Sequence, residues 1–288
     1  MLAQPRLLAA ELLRNVPVRG VTRLQRALVP QPILREIHER RYAYPKTFGV
    51  RVPWIGSPNS LVGWTVHFRG AYEFSTLGIL ATLIQPGDGV VEGGANEGYH
   101  TTFIADLVGK TGRVWAFEPN PLPRKTLEAN VALVPHVAIH HEALAAEPAE
   151  SRDFYMPRAD VPNQGLGGFA HNNTQPTEKV AVRIETVDRV IDNAPVSLIK
   201  LDVQGFEHEV LGGATNVLAR DLPYVLFESI PGEESGREVA AMLTKLGYTL
   251  WRVDDLPEPP YFSLAPAGKL EASSNYLGTP PPRARRRS

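Results

Sequence analysis

The 288-residue chain contains no cysteine, which excludes a disulfide, a thiol nucleophile and a thiolate metal site together. No apolar run approaches the roughly 18 to 20 residues that span a bilayer, and the first residues, MLAQPRLLAAELLRNVPVRG, lack the uninterrupted apolar block of a signal peptide. Excess charge is missing as well. Lys and Arg total 30 against 31 Asp and Glu, so no basic surplus marks a general nucleic-acid binder. These absences leave an enzyme as the expectation, placed in the cytoplasm and long enough to bury a sizeable core as one domain with a small N-terminal extension.

What is present is concentrated in residues 87–120, GDGVVEGGANEGYHTTFIADLVGKTGRVWAFEPN. The β-branched Val90 and Val91 end in an acid, Glu92, and pass into a turn with Gly93, Gly94 and Gly98 before a helical stretch at about 99–108. A second strand, 113–117, ends in Glu118, which lies 20 residues beyond Gly98. This order puts both acids at the carboxyl ends of neighbouring parallel strands, the edge at which open α/β sheets bind ligands. Glycine lets the backbone turn sharply and lets a ligand approach the main chain, the free N–H groups of the helix start face that ligand, and an acid placed like Glu118 takes both hydroxyls of a ribose. A nucleoside is therefore expected. The dinucleotide fingerprint is matched only as Gly93-Gly94-Ala95-Asn96-Glu97-Gly98. Carboxylates at Glu92 and Glu97 repel a pyrophosphate, whereas a cationic sulfonium with an amino-acid tail tolerates or prefers them. S-adenosylmethionine is preferred to NAD on that ground.

Residues 1–45 are rich in Leu and Arg at near-helical spacing (Leu7, Leu8, Leu12, Leu13; Arg14, Arg19, Arg23, Arg26). They read as a helix packed on the domain with its arginines in water, the alternative being peripheral contact with an anionic membrane or partner. Two apolar runs, FGVRVPWI and LVGWTVHF, flank Gly56-Ser57-Pro58-Asn59 and predict a hairpin between 47 and 68. A helix at 74–84 follows, with Tyr72 and Glu73 before it as residues that line the site or cap the helix. Helix 121–133 and a third strand, 137–144, come next. The pair His140-His141 does not make a metal site, because adjacent strand residues point to opposite faces. From 145 to about 178 the alternation fails in a stretch rich in Asn, Gly and Pro, which predicts a lid hinged at Gly165, Gly167 and Gly168 over the ligand edge. A strand at 180–184 and a short helix at 186–191 precede a buried-type strand, SLIKLDV, with Asp202 at its carboxyl end and Gly205 in the turn. A strand at 224–227 ending in Glu228, a helix at 234–246, and an antiparallel hairpin of 248–253 with 261–264 complete the series. The tail PPPRARRRS reads as disordered.

With these residues placed, the chain resembles the FkbM family of S-adenosylmethionine-dependent methyltransferases from about residue 70 to about 276. The match rests on VVEGGANEGYHT, AFEPNP, TVDRVI, IKLDVQGFE and VLFES, in that order. The resemblance implies an α/β fold of class I methyltransferase type, a Rossmann-like, seven-stranded and mostly parallel sheet with helices on both faces and its last strand antiparallel. The division expected is an N-terminal helix and hairpin extension at 1–69, the methyltransferase domain at 70–278 and a basic tail at 279–288. The resemblance also implies O-methylation of a natural-product or sugar hydroxyl. On its basis Glu92, Gly94, Asn96 and Gly98 surround the methionine part of the cofactor, Glu118 the ribose, Asn120 the adenosine region and Ala143-Leu144 the adenine, with Ala95 and Pro119 also among the cofactor-binding residues, while Asp202 faces the methyl and the acceptor.

Two departures stand out. The family usually carries Asp where Glu92 stands, and D-V-E-G where this chain has Asp202-Val203-Gln204-Gly205. Without that second carboxylate no metal is carried over, and Mg²⁺ held by Asp202 and Glu228 through waters is the disfavoured alternative. A hydroxyl acceptor must lose its proton, which calls for a base; Asp202 is the first candidate and His100 the second. The competing readings are a non-catalytic nucleoside-binding or scaffold protein of the same fold and, further off, an NAD-dependent oxidoreductase, disfavoured by Ala95-Asn96-Glu97.

Overall fold

The structure, a computed structural model, describes residues 40–158, 167–169, 177–229, 234–268 and 274–282. The proposed N-terminal helix and most of the basic tail lie outside these residues. The chain begins with an antiparallel pair, β1 (Arg40–Tyr42) and β2 (Trp54–Gly56), then helices α1 (Leu61–Arg69) and α2 (Phe74–Leu83). The central unit alternates β3 (Gly89–Gly93), α3 (Tyr99–Val108), β4 (Arg113–Phe117), α4 (Pro121–Val131) and β5 (Val137–His140). A three-stranded side sheet follows from β6 (Ala143–Leu144), β7 (Ala149–Pro157) and β8 (Thr177–Glu185). The remainder is α5 (Val187–Ile191), β9 (Leu198–Leu201), α6 (Glu207–Gly212), α7 (Thr215–Asp221), β10 (Tyr224–Ser229), α8 (Ser235–Lys245), β11 (Thr249–Asp255), β12 (Phe262–Pro266) and β13 (Ser274–Thr279).

The main sheet runs β12-β11-β13-β10-β9-β3-β4-β5. Strands β5, β4, β3, β9 and β10 are parallel, and β13 inserts antiparallel between β10 and β11. This is the class I methyltransferase arrangement, extended by β12 as an eighth, edge strand. Both faces are covered, and the strand period of two divides the apolar residues between them. Val90, Val114, Leu198 and Leu226 pack with Leu77, Leu80, Phe103 and Ile104 on one face. Val91, Trp115, Ile199, Val225 and Phe227 pack with Leu211, Val217, Leu218 and Leu243 on the other. Burial on both faces explains why these strands read as short, continuous apolar runs. None of the helices among the described residues is long and apolar enough to cross a membrane.

Three expectations are corrected. The run LVGWTVHF is helix α1, not the second strand of a hairpin. Ser60 caps it by accepting the Gly63 N–H, and Val62, Trp64, Val66, His67 and Phe68 are all buried. A helix buried around most of its circumference has no polar stripe to reveal its 3.6-residue period, so β-branched content misleads. Ser60→Ala is expected to cost about 1 kcal/mol in urea unfolding, with Ser60→Asn recovering most of it. The expected third strand is divided: β5 ends at His140, and Ala143-Leu144 leave the main sheet to pair with β8. Finally, β7 occupies part of the stretch read as irregular, in antiparallel register with β8 from Arg152↔Val182 to Pro157↔Thr177. Its residues 149–153 are exposed and only Phe154, Met156 and Pro157 are buried, so the alternation that marks a half-buried strand is absent over its first half.

Candidate active site

Strand β3 is the point at which the chain order reverses, with β4 on one side and β9 on the other. Gly93 pairs with Phe117 and with Leu201, so the next residues, Gly94, Glu118 and Asp202, emerge side by side at the carboxyl edge, where a doubly wound sheet opens its crevice. Gly94 has to be glycine. Its φ is +78°, and a Cβ there would stand 1.9 Å from the Asp202 carbonyl oxygen. The Gly94 and Ala95 N–H groups both donate to the Phe117 carbonyl at 3.0 Å, which closes the turn onto β4. Gly98, also left-handed at φ 78°, starts α3.

Glu118 joins the two loops. Its Oε2 accepts the Asn96 N–H and its Oε1 the Asn120 N–H, both at 2.8 Å. Asn120 in turn caps α4 through the Leu122 N–H, with Pro121 in the first turn. Arg124 donates to the Glu118 and Pro119 carbonyls. Burial pushes the Glu118 carboxyl up to about 7, against the pull of the two backbone N–H groups and Arg124. Each carboxylate oxygen retains a lone pair beyond its backbone bond, and Glu118 lies on the wall of the cavity.

That cavity is lined on the sheet side by Gly93, Gly94, Asn96, Phe117, Glu118, Pro119, Ala143, Leu144 and Asp202. Across from them stand Ser60, Leu61, Val62, Tyr72 and Glu97, and an aromatic side of Phe154, Phe169 and Phe206. Phe169 meets Phe154 edge-on at 5.5 Å and Phe206 at 4.7 Å, with the Arg152 guanidinium 4.3 Å over its ring. Of the expected lid, 159–166 and 170–176 lie outside the described residues, Gly165 among them. Residues 167–169 are tied to β7 by reciprocal Tyr155–Gly168 backbone bonds of 2.8 and 2.9 Å.

Of the residues singled out in the sequence, Gly94, Asn96, Glu118, Pro119, Ala143, Leu144 and Asp202 line the cavity. Ala95, Gly98 and Asn120 are not on its wall; Gly98 and Asn120 start α3 and α4. Two further residues do not reach it. Glu92 is turned into the core, where its Oε2 accepts from Thr101 Oγ1 at 2.7 Å and its Oε1 lies 3.6 Å from Lys200 Nζ. The cause is register: Glu92 and Lys200 are paired residues of adjacent strands, so their side chains leave the sheet on one face. Burial alone would pull the Lys200 ammonium down, but Glu92, Asp202 and Glu73 together raise it above its ordinary value, so it stays charged. The second is His100, buried behind Tyr72 with ring centroids 5.9 Å apart and its Nε2 3.7 Å from Glu73 Oε2. Burial and the Lys200 charge hold it well below the usual histidine range, so the imidazole is neutral. As for His140 and His141, the first stacks on Phe117 and the second approaches Glu128.

Asp202 accepts the Gln204 side-chain amide at 2.9 Å, where the family's usual acid would set two carboxylates together. Glu207 accepts the Val203 and Gly205 N–H groups and the Ser235 hydroxyl, which fixes the turn after β9. Sequence reasoning missed the cavity role of Ser60, Leu61 and Val62 because α1 was read as strand, and that of Phe154 and Phe206 because an isolated aromatic carries no positional signal. Chemically the arrangement offers a carboxylate at Glu118 able to accept from a diol, an apolar slot at Phe117, Ala143, Leu144 and Phe154 able to take a flat ring, and a second carboxylate, Asp202, on the cavity wall. The residues fit a nucleoside cofactor with a cationic centre.

The family model of the FkbM methyltransferase domain matches residues 92–250. No curated protein matches the chain. Among solved structures, an FkbM methyltransferase from Methylobacillus flagellatus KT is 14% identical over 96% of this chain and 58% of its own, with a TM-score of 0.45. This chain thus spans little more than half of that protein's length. An S-adenosylmethionine-dependent O-methyltransferase from Thermotoga maritima is 15% identical over 74% and 68% of the two chains at a TM-score of 0.43. Aeropyrum pernix fibrillarin, solved with bound S-adenosylmethionine, is 15% identical over 70% and 72% at 0.41.

Proposed function

Since the chain belongs to the FkbM methyltransferase family, we propose that it transfers a methyl group from S-adenosylmethionine to a hydroxyl oxygen of a small-molecule natural product or a saccharide. The observation that carries the cofactor is Glu118, a buried carboxylate on the cavity wall with both oxygens held in place by the Asn96 and Asn120 N–H groups. It receives the ribose hydroxyls in this reading, while Ala143, Leu144, Phe117 and Phe154 sandwich the base. Bound S-adenosylmethionine supplies an electrophilic methyl group on a sulfonium. The protein's part is to hold an acceptor oxygen in line with that methyl and to exclude water with the aromatic side. Asp202 takes the acceptor's proton and adds negative potential beside the sulfonium. His100 is too deeply buried for a direct role.

The test is a fluorescence titration with S-adenosylhomocysteine and with NADH. Saturable binding of the first and none of the second is expected, and the reverse would make the protein a dinucleotide enzyme. The pH dependence follows from Glu118. The ionised carboxylate accepts both ribose hydroxyls, so affinity rises as the proton leaves. If only the ionised form binds, raising the pH from 6 to 8 tightens S-adenosylhomocysteine roughly tenfold, centred on the value of about 7 for this carboxyl. A flat profile would remove Glu118 from the ribose.

A further inference from the structure

Resting on that methyl-transfer reading, we propose that Asp202 does not act alone: it shares one proton with Glu228, so that the pair accepts the acceptor's proton at Asp202 and releases one to solvent at Glu228. The geometry begins with register. Leu201 of β9 pairs with Phe227 of β10 in parallel strands, and the next residue of each strand is an acid. Side chains at paired positions leave a parallel sheet on the same face, so the two carboxyls stand side by side at the strand ends, near enough for Asp202 to add to the effect of burial on Glu228. Two neighbouring carboxyl groups bond to each other only with a proton between them.

The pair joins two openings. Asp202 lines the cofactor cavity. Glu228 lines a separate cleft with Arg69, Glu73, Asp255 and Asn275. The groups facing the pair are Tyr72 and Glu73 ahead of α2, Glu92 on β3, Glu118 after β4, Lys200 on β9 and Glu207 at the start of α6. The buried His100 Nε2, without a hydrogen-bond partner, points at Glu73 from α3. Burial first, then the charges of Asp202 and Glu73, hold the Glu228 carboxyl up at about 8, so it keeps its proton at neutral pH. Among the described residues, no three or more His, Asp or Glu side chains are grouped to hold a metal ion, and Gln204 meets Asp202 with a neutral amide. A proton is the carrier this donor set provides.

The balance is simple. As the acceptor oxygen bonds to the methyl carbon, the electron pair of the broken carbon–sulfur bond stays on sulfur and the acceptor's O–H proton passes to Asp202. The pair, whose shared proton left Glu228 for water in the cleft when the sulfonium bound, again holds one. Glu228 acts through Asp202, as a positioning residue.

The test counts protons rather than turnover. Calorimetric titration of the full chain at pH 7.5, in buffers of different ionisation enthalpy, compares S-adenosylmethionine with the uncharged S-adenosylhomocysteine. Both displace the Glu118 proton alike, but only the sulfonium drives the shared proton off, so it is expected to release on the order of half a proton more. Glu228→Gln is expected to bind both ligands and to erase that excess. Equal release in the wild type, or an excess that survives in Glu228→Gln, would overturn the shared proton. Should Glu228→Gln fail to fold, ¹³C carboxyl NMR of the ligand-free wild type decides. Two separated steps, one of them above pH 7, support the pair; both carboxyls titrating in the ordinary carboxylate range overturn it. Binding of neither ligand sinks the cofactor reading instead, and the same NMR titration still judges the pair.

Discussion

Replacing Asp202 by Asn is expected to slow single-turnover methyl transfer at least about a hundredfold, within the range ascribed to general-base catalysis, while S-adenosylhomocysteine affinity changes far less. The substitution keeps the volume and the Gln204 hydrogen bond, since an amide oxygen can accept at the Oδ1 position. In the proposed mechanism it removes the group that takes the acceptor's proton and the negative charge beside the sulfonium. Both losses fall on the reacting end, so the effect belongs in the rate and not in binding. The measurement is rapid-quench transfer to whichever hydroxyl compound an acceptor screen returns, with calorimetry alongside. A full-speed Asp202→Asn enzyme would leave positioning as the main source of rate, because His100 lies behind Tyr72 and not on the cavity wall.

Glu118→Ala is expected to weaken S-adenosylhomocysteine by on the order of 2 kcal/mol or more, about thirtyfold in Kd, because two charge-assisted hydrogen bonds to the ribose are lost. The structure adds a second consequence. The same carboxylate accepts the Asn96 and Asn120 N–H groups, so its removal leaves one half-buried and one buried donor unpaired and loosens the loops after β3 and β4. Glu118→Ala should therefore also lower the unfolding free energy, by about 1–3 kcal/mol. Glu118→Gln separates the two effects, since it retains one oxygen for the loops but no charge for the ribose. Unchanged affinity in a folded Glu118→Ala protein would end this binding mode.

Much of the cavity wall was legible from local pattern. Glu118 was found because the spacing from the glycine turn to the end of the next strand is set by one helix and its two connections. Asp202 was found because SLIKLDV is a both-faces-buried strand interrupted by an acid at its carboxyl end, and an acid there faces the crevice of a parallel sheet. The five ordered motifs then placed the family, and the matched family model covers residues 92–250 of that stretch.

Local pattern failed where burial did not follow the usual one-face rule. Helix α1 is buried nearly all round and read as strand; the first half of β7 is exposed on both faces and read as loop. Strand β13 went unrecognised as an element, because its place between β10 and β11 is made by pairings with strands far away in sequence. Glu92 shows the same limit at a single residue. The sequence by itself determined that an acid ends β3, but whether that acid meets a ligand or a lysine depends on the register of β3 against β9, some hundred residues on. That register pairs it with Lys200 and sends it inward. Chain order, the glycine turn and the strand-end acids were therefore decided by sequence, through backbone sterics and period. Which acids face the cavity, which are buried as ion pairs and which come together as Asp202 and Glu228 was decided only by the tertiary structure, since side-chain direction and inter-strand register are properties of the assembled sheet.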